Sequence, residues 1–522
     1  MSKVQGWTLG FVVLVALASS VEAQPVGPEF QVNTQTSGRQ YFASVASDAS
    51  GNFVVVWYGA TDGNLFGVFA QRYDNAGAPD GSEFQVNTYT TSYQGAPVVA
   101  SEPSGAFVVA WDSKDSVQEG SGNPGVFGQR YDLAGNTVGS EFHINTHTTN
   151  KQVSPVIAVD PNGDFVVVWN SLDQDLSGYG VFGQRFNAAG DTLGGEFPVN
   201  TYTTGQQSNP SVTWLASGDF IVVWTGDDAV SSRGVFGQRY ASSGSPAGGE
   251  FQVNTETLGS QDYPDVAADA NGNFVVVWGG EDGDDRGIFG QRFDSAGDTV
   301  GGEFPINAHT TGVQQHPSVA SDARGNFAVV WTDRSGQDGD VRGVFGRRFD
   351  ASGNPLGGEF QVNTYTSGIQ RFRPGEAVSS DPIGNLVVVW EDDGGHDGSE
   401  YGVFGQRYAA LVAIDIKPGT FPNSINLRKK GLIPVAILTT PTFDATTVDV
   451  SSVQFGASGT EAAAQQSAQQ DVDFDGDTDL ILHFRTEATG ILCGATSASL
   501  TGQTGGGQAI QDSDSIVTVG CK

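Results

Sequence analysis

The dipeptide Glu-Phe recurs at Glu29, Glu83, Glu141, Glu196, Glu250, Glu303 and Glu359, with spacings of 54, 58, 55, 54, 53 and 56 residues. Two other markers keep step with it. A Trp closes "NFVVVW" or a variant at Trp57, Trp111, Trp169, Trp224, Trp278, Trp331 and Trp390. An Arg stands in "VFGQR" or a variant at Arg72, Arg130, Arg185, Arg239, Arg292, Arg348 and Arg407. Such a period confines the chain to a stack or a ring of one supersecondary unit. In the third copy, turn residues separate the strand-like segments "SPVIAVD", "DFVVVWN", "GVFGQRF" and "EFPVNT". Four short antiparallel strands per repeat make a propeller blade, and "FVVVW", apolar on both faces, suits a sheet sandwiched between neighbours. A Gly or Ala in the third strand leaves room for a large aromatic, and a Trp is expected over it.

The phase of the repeat separates ring from stack. The first three strands of the seven units run from about residue 41 to Tyr408, but "EFQVNT" at residues 29–34 precedes them all, and the last "VFGQRY" has no such segment after it. The N-terminal segment is therefore predicted to complete the last sheet, which removes two exposed strand edges. The expected fold is all-β: a seven-bladed β-propeller over residues 24–410, closed by its N-terminal strand, then a small β-sandwich over 411–522. A linear array is the rival.

Residues 1–23 read as a signal peptide, with Lys3, the apolar run "LGFVVLVALA" and Val21-Glu22-Ala23 before the cut. Export makes Cys493 and Cys521, the only two cysteines, an expected disulfide. The net charge of −34 excludes nucleic acid and anionic lipid as partners and favours cations. No later stretch is apolar enough to span a membrane, and a monomer is expected.

Glutamines recur seven residues after each fourth-strand Asn, at Gln40, Gln94, Gln152, Gln207, Gln261, Gln314 and Gln370. They form a candidate ligand ring at the channel mouth or else satisfy buried loop backbone. The repeated Arg and Glu are expected to pair within a unit. Acidic loops carry Glu281, Asp282, Asp284, Asp285, Asp338, Asp340, Asp392, Asp393 and Asp397 on one face, either as a cation site or as solvated turns. In the last domain "DVDFDGDTDL" spaces carboxylates as a calcium loop does. Asp471, Asp473, Asp475 and Asp479 would give side-chain oxygens, Asp477 its carbonyl, and Gly476 the sharp turn. Leu482 stands where an EF-hand has its last glutamate, which favours a loop between strands.

The segments "IDIKPGTFPNSIN", "IPVAILTT", "DVDFDGDTDL" and "TGILCGATSASLTGQT" resemble a C-terminal module of exported bacterial proteins. The calcium loop resembles those of integrin-type propellers. The phrases "FVVVW", "GVFGQRY" and "GGEF" are similar to tandem repeats of bacterial secreted, adhesin-like proteins, a resemblance that implies export and no reaction. "SDASGNFVVVW" mimics a sialidase Asp box with the wrong spacing.

The main functional expectation is a secreted, non-catalytic binding or surface-interaction protein for a glycan, peptide or other extracellular ligand. It rests on the lack of HExxH, G-x-S-x-G or a Cys/His dyad. The alternatives are a propeller glycoside hydrolase or polysaccharide lyase, and a matrix or surface-layer component. Regularity breaks only at "EDDGGHDGSEY" and "QRFRPGE", which makes Arg371, Arg373 and Glu376 the first candidates for chemistry.

Overall fold

A computed structural model describes residues 25–60, 66–114, 123–227, 233–257, 259–283, 285–372, 375, 377–398, 401–440, 443–473 and 475–521. The segment expected to be a leader with its cleavage site, Asp284, Arg373 and Glu376 lie outside them. The described chain is all-β, and its repeats build a β-propeller. In the third unit Gln152–Val159, Phe165–Leu172, Tyr179–Phe186 and Phe197–Pro198 pair antiparallel in chain order. Five other four-stranded sheets between residues 40 and 361 repeat that order. Among the described residues no helix is long and apolar enough to cross a membrane.

The last repeat borrows its outer strand from the start of the chain. Phe30–Gln31 pairs with Gly402–Tyr408, which pairs with Leu386–Asp392; the first strand of that sheet is split into Gln370–Arg371 and Val378–Ser380. An Asn seals the pairing in every unit. Its Oδ1 accepts the third-strand N–H of Val68 from Asn87, of Val181 from Asn200, and of Val403 from Asn33. This last bond, at 2.7 Å, joins residues 370 apart in sequence.

Each of the seven repeated Trp residues is 0–1% exposed and lies between neighbouring sheets. Trp57 of the first unit packs in one cluster with Val389 and Val403 of the last. The small third-strand residue makes room for a different ring from the one expected. A Cβ on Gly405 would come within 2.7 Å of Phe30, and one on Gly183 within 2.8 Å of Phe197. The partner is the Phe of the Glu-Phe dipeptide, directly opposite on the fourth strand.

The repeated Arg and Glu do not pair within a unit; both fasten neighbouring units. Arg72 donates to the carbonyls of Leu133 and Ala134 in the next unit, and Arg407 to those of Asn75 and Ala76 in the first. In the opposite direction Glu83 accepts from Thr34 N–H and Oγ1 at 2.6 and 2.8 Å, and Glu29 accepts from Thr364. A guanidinium facing two carbonyls caps a turn whose acceptors would otherwise be unpaired.

Beyond Tyr408 a five-stranded and a four-stranded sheet share one core. Ile416, Val435 and Leu482 of one sheet meet Phe455, Leu500 and Ile510 of the other. Cys493 and Cys521 are disulfide-bonded. This crosslink spans 28 residues. Replacing both cysteines by Ala should therefore cost this module about 3.5 kcal/mol of unfolding free energy, measured by denaturant titration. The module docks on the first and last repeats. Asn75 Nδ2 donates to Gly506 O at 2.6 Å, and Gln508 Nε2 donates to Asp381 Oδ2 at 3.1 Å.

Candidate functional site

In six units the first strand carries a bulge two residues after its glutamine, where the register slips; in the seventh that strand is split in two. The bulged residue sits in the left-handed region, with φ of 52° at Phe42, 54° at Ser154 and 55° at Tyr263. Such a backbone is strained for a non-glycine residue and persists only when held. At Phe42, Ser154 and Tyr263, and at Phe372 in the split strand of the last unit, the N–H donates to the residue just after Trp in the preceding unit. Tyr263 N–H donates to Thr225 Oγ1 at 3.1 Å, and Phe372 N–H to Thr332 Oγ1 at 3.5 Å. Two joints use a carboxyl group instead. Ser154 N–H donates to Asp112 Oδ2 at 3.3 Å, and Phe42 N–H to Glu391 Oε1 at 2.8 Å.

These bulges line one central cavity of about 240 Å³, walled by Phe42, Ala96, Ser154, Asn209, Tyr263 and Gly375 among others. Asp112 and Glu391 thus stand at equivalent positions directly behind the wall of the same cavity. Both are buried, and they differ in their partners: Glu391 is 1% exposed and has a charged one. Asp112 is 6% exposed, and burial pushes its carboxyl up to about 7 against the single opposing bond from Ser154. Glu391 Oε2 lies 3.2 Å from Arg371 Nε in an ion pair. Carboxyl groups in contrasting environments are how one site obtains both an acid and an ionised partner near neutral pH.

An aromatic surface lies beside Glu391. Ring centroids are 4.7 Å apart for Tyr41 and Tyr401, 5.3 Å for Tyr41 and Tyr58, and 4.9 Å for Phe42 and Tyr58. Phe66 and Tyr93 extend it edge-on, at 5.3 and 5.9 Å from Tyr58. Arg39 and Arg371 stand over the Tyr401 ring at 5.5 and 5.9 Å. Tyr41, Phe42, Phe66, Tyr93 and Tyr401 are each only half-buried. Half-exposed rings with flanking charged groups can stack on a sugar face while binding its hydroxyls.

Of the residues singled out in the sequence, Arg371 is part of this cluster. Glu391 and Tyr401 lie in the "EDDGGHDGSEY" break without having been named as candidates, and Asp112 and the other aromatic rings were missed. Their signal is departure from the repeat: the position after Trp reads Tyr58, Asp112, Asn170, Thr225, Gly279, Thr332 and Glu391. The seven glutamines are 0–1% exposed, and none lines the cavity. Gln94 and Gln370 donate to Thr91 O and Ser367 O, three residues back, and accept from Asn87 and Asn363, seven back. Gln40, Gln152, Gln207 and Gln314 make the same backward bond to Ser37, Thr149, Thr204 and Thr311. Gln261 accepts from Trp278 Nε1 at 3.1 Å. In the acidic loops, Asp393 and Asp340 accept from Ile369 and Gly368 N–H, Asp338 from Asp340 N–H, and Asp282 from Asp285 N–H.

In the last module Asp471, Asp473 and Asp479 bring one carboxylate oxygen each within 4.8 Å of one another. Asp479 fixes the loop base by accepting from Val472 and Thr439 N–H, both at 2.8 Å, and Gly476 turns at φ 103°. Asp475 Oδ1 accepts from Asp477 N–H, and Asp477 Oδ1 is buried with no hydrogen-bond partner. Desolvation and the neighbouring Asp475 push the Asp477 carboxyl up to about 6. Crowded hard oxygens with an orphaned acceptor fit calcium.

No protein-family model matches the sequence, and no curated protein is similar to it. Solved structures are. Polysaccharide lyase Uly1 is 10% identical, with a TM-score of 0.44 over 75% of this chain and 94% of its own. The α-L-arabinofuranosidase Arb93A from Fusarium graminearum is 12% identical, with a TM-score of 0.43 over 63% of this chain and 99% of its own. The β-propeller domain of the Trilobed protease from Pyrococcus furiosus is 10% identical, with a TM-score of 0.42 over 72% of this chain and 94% of its own. At such identities the likeness concerns the fold. The expectation of a non-catalytic binding protein is corrected by what recurs among these structures, namely enzymes named for cleaving carbohydrate.

Proposed function

We propose that this chain is an exported carbohydrate-cleaving enzyme: a closed seven-bladed propeller with a C-terminal β-sandwich, hydrolysing a polysaccharide at the mouth of its central cavity. The observation that carries the proposal is the pair Asp112 and Glu391. At the equivalent joints Thr225 and Thr332 hold the bulge without any titratable group, so folding does not require a carboxyl there. The half-exposed aromatic surface of Tyr41, Phe42 and Tyr401 receives the sugar rings. Asp112 gives its proton to the glycosidic oxygen as the C–O bond breaks. Water adds to the anomeric carbon and its proton passes to a carboxylate, for which Glu391 is the candidate.

Incubation of the protein with a polysaccharide panel tests this. New reducing ends are expected, with activity falling as pH rises through about 7, where Asp112 loses its proton. Unsaturated ends without added water would replace hydrolysis by elimination. Retention of glycans with release of neither product overturns the enzyme.

We further propose that calcium is held by Asp471, Asp473 and Asp479, with Asp475 and Asp477 completing the loop. When bound, the cation supplies charge neutralisation and a fixed turn. Calcium at a hundredfold its Kd should stabilise the module by about 2.7 kcal/mol, read as a rise in melting temperature that chelator reverses. Asp473→Asn should abolish most of the rise. An unchanged melting temperature with and without chelator would refute calcium binding.

A further inference from the structure

The chain carries 25 basic against 59 acidic residues, yet guanidinium groups gather around one ring beside the cavity mouth. Backbone pairing across the seams puts them there. Arg39 bridges to Tyr401, and Gln40 N–H donates to Tyr401 O at 3.3 Å. Arg342 of the sixth repeat bridges to Ile369, and Gln370 N–H donates to Arg342 O at 3.1 Å, which sets Arg342 beside the strand that carries Arg371. Arg39 and Arg371 then stack on the same Tyr401 ring.

Arg342 Nε is buried without a hydrogen-bond partner. Burial lowers the proton affinity of Arg342, repulsion from Arg334 and Arg371 lowers it further, and Asp393 and Tyr401 offset this only in part. Among the described residues the carboxylates named here also hold backbone: Asp393 and Asp340 cap loop N–H groups, and Glu391 holds the Phe42 bulge as well as Arg371. Like charges held together at a cost, beside half-exposed rings, are what a site presents to an anion that arrives with the ligand.

We propose that the mouth recognises an anionic polysaccharide, with Arg342, Arg371 and Arg39 binding a carboxylate or sulfate carried by the sugar, next to the ring that stacks on Tyr401. This names the substrate class for the hydrolase proposed above and rests on that site. Recognition must be local, because a protein of net charge −34 otherwise repels a polyanion.

Affinity electrophoresis through gels containing polygalacturonate, dextran sulfate or neutral arabinan tests it, with the full chain folded as judged by its melting temperature. Retardation by at least one polyanion and none by arabinan is expected, weakening with salt. Whether polygalacturonate or dextran sulfate retards more tells carboxylate from sulfate. Arg342→Gln should raise the dissociation constant at least about tenfold, a loss of about 1.4 kcal/mol, while Arg342→Lys keeps part of the affinity. Equal retardation by arabinan, or a folded Arg342→Gln that binds polyanions undiminished, overturns the proposal. Cleavage of arabinan without polyanion binding would sink anion recognition and leave the hydrolase. Binding without cleavage would do the reverse.

Discussion

Deletion of residues 25–34 should abolish cooperative folding of the propeller or lower its melting temperature by more than about 10 °C. The segment supplies the outer strand of the sheet formed by the last repeat. Val26 and Val32 N–H donate to Arg407 O and Val403 O, both at 2.8 Å, and Asn33 accepts from Val403. Phe30 packs 5.4 Å from Tyr73 and fills the space over Gly405, and Val32 is 1% exposed. Two packed apolar side chains contribute about 2–3 kcal/mol each, and each hydrogen bond about 1. That sum rivals the whole stability of an ordinary domain, about 5–15 kcal/mol. A synthetic peptide of residues 25–36 added in trans should restore the transition. A finer test uses one atom: Asn33→Ala and Asn200→Ala each strand a buried N–H, that of Val403 or Val181. Each should therefore cost a similar 1–3 kcal/mol, about as expected for an unsatisfied buried group. Differential scanning calorimetry reads both. A truncated chain that melts within about 2 °C of the intact one would show that the seam contributes nothing.

Phase made this seam legible in the sequence. Seven fourth strands set one unit ahead of their sheets leave the segment at residues 29–34 one place to go, beside residues 402–408. The disulfide was legible because only two cysteines exist. Contacts between repeated residues were not. In a strict repeat, Arg72 meeting Glu83 within its unit looks the same, in sequence, as Arg72 reaching Leu133 of the next unit while Glu83 reaches Thr34 of the one before. Periodicity supplies the partners but not the offset between them, and the offset depends on how sheets face each other. The ring over the third-strand glycine failed for a related reason: Trp and Phe repeat equally, and only the register of Gly405 against Phe30 decides between them.

The candidate site escaped for a different reason. Motif searches reward residues close together in sequence, whereas a channel takes about one residue from each blade. Glu391 holds the Phe42 bulge across 349 residues, and Arg39 meets Tyr401 across a similar span. Such a cluster is legible only column by column, where one repeat replaces a neutral residue by a titratable one. The "QRFRPGE" break did point to Arg371, because that unit alone puts an Arg directly after its glutamine.

Asp112→Asn and Glu391→Gln should each lower polysaccharide cleavage by about 100-fold or more, the range expected when a general acid or base is removed, while leaving the chain folded. An amide keeps an oxygen that can accept the bulge N–H of Ser154 or Phe42. The Asp112 carboxyl also marks stability with a sign. Burial raises its folded value to about 7, whereas the unfolded chain ionises it near 4. Native protein therefore holds the proton that the unfolded chain releases, and the contribution present below about pH 4 is lost as pH rises to about 7. At about 1.4 kcal/mol per unit, roughly 4 kcal/mol is at stake. Wild-type stability should decline across that window, and Asp112→Asn should flatten the decline and match or exceed wild type above about pH 7. A single substitution thus separates two readouts: activity falls at every pH while stability at high pH does not. If Asp112→Asn retains full activity with its falling limb above pH 7 intact, the proton donor lies elsewhere; if stability collapses with activity, the carboxyl serves the bulge alone and the pair Asp112 and Glu391 loses its claim to chemistry.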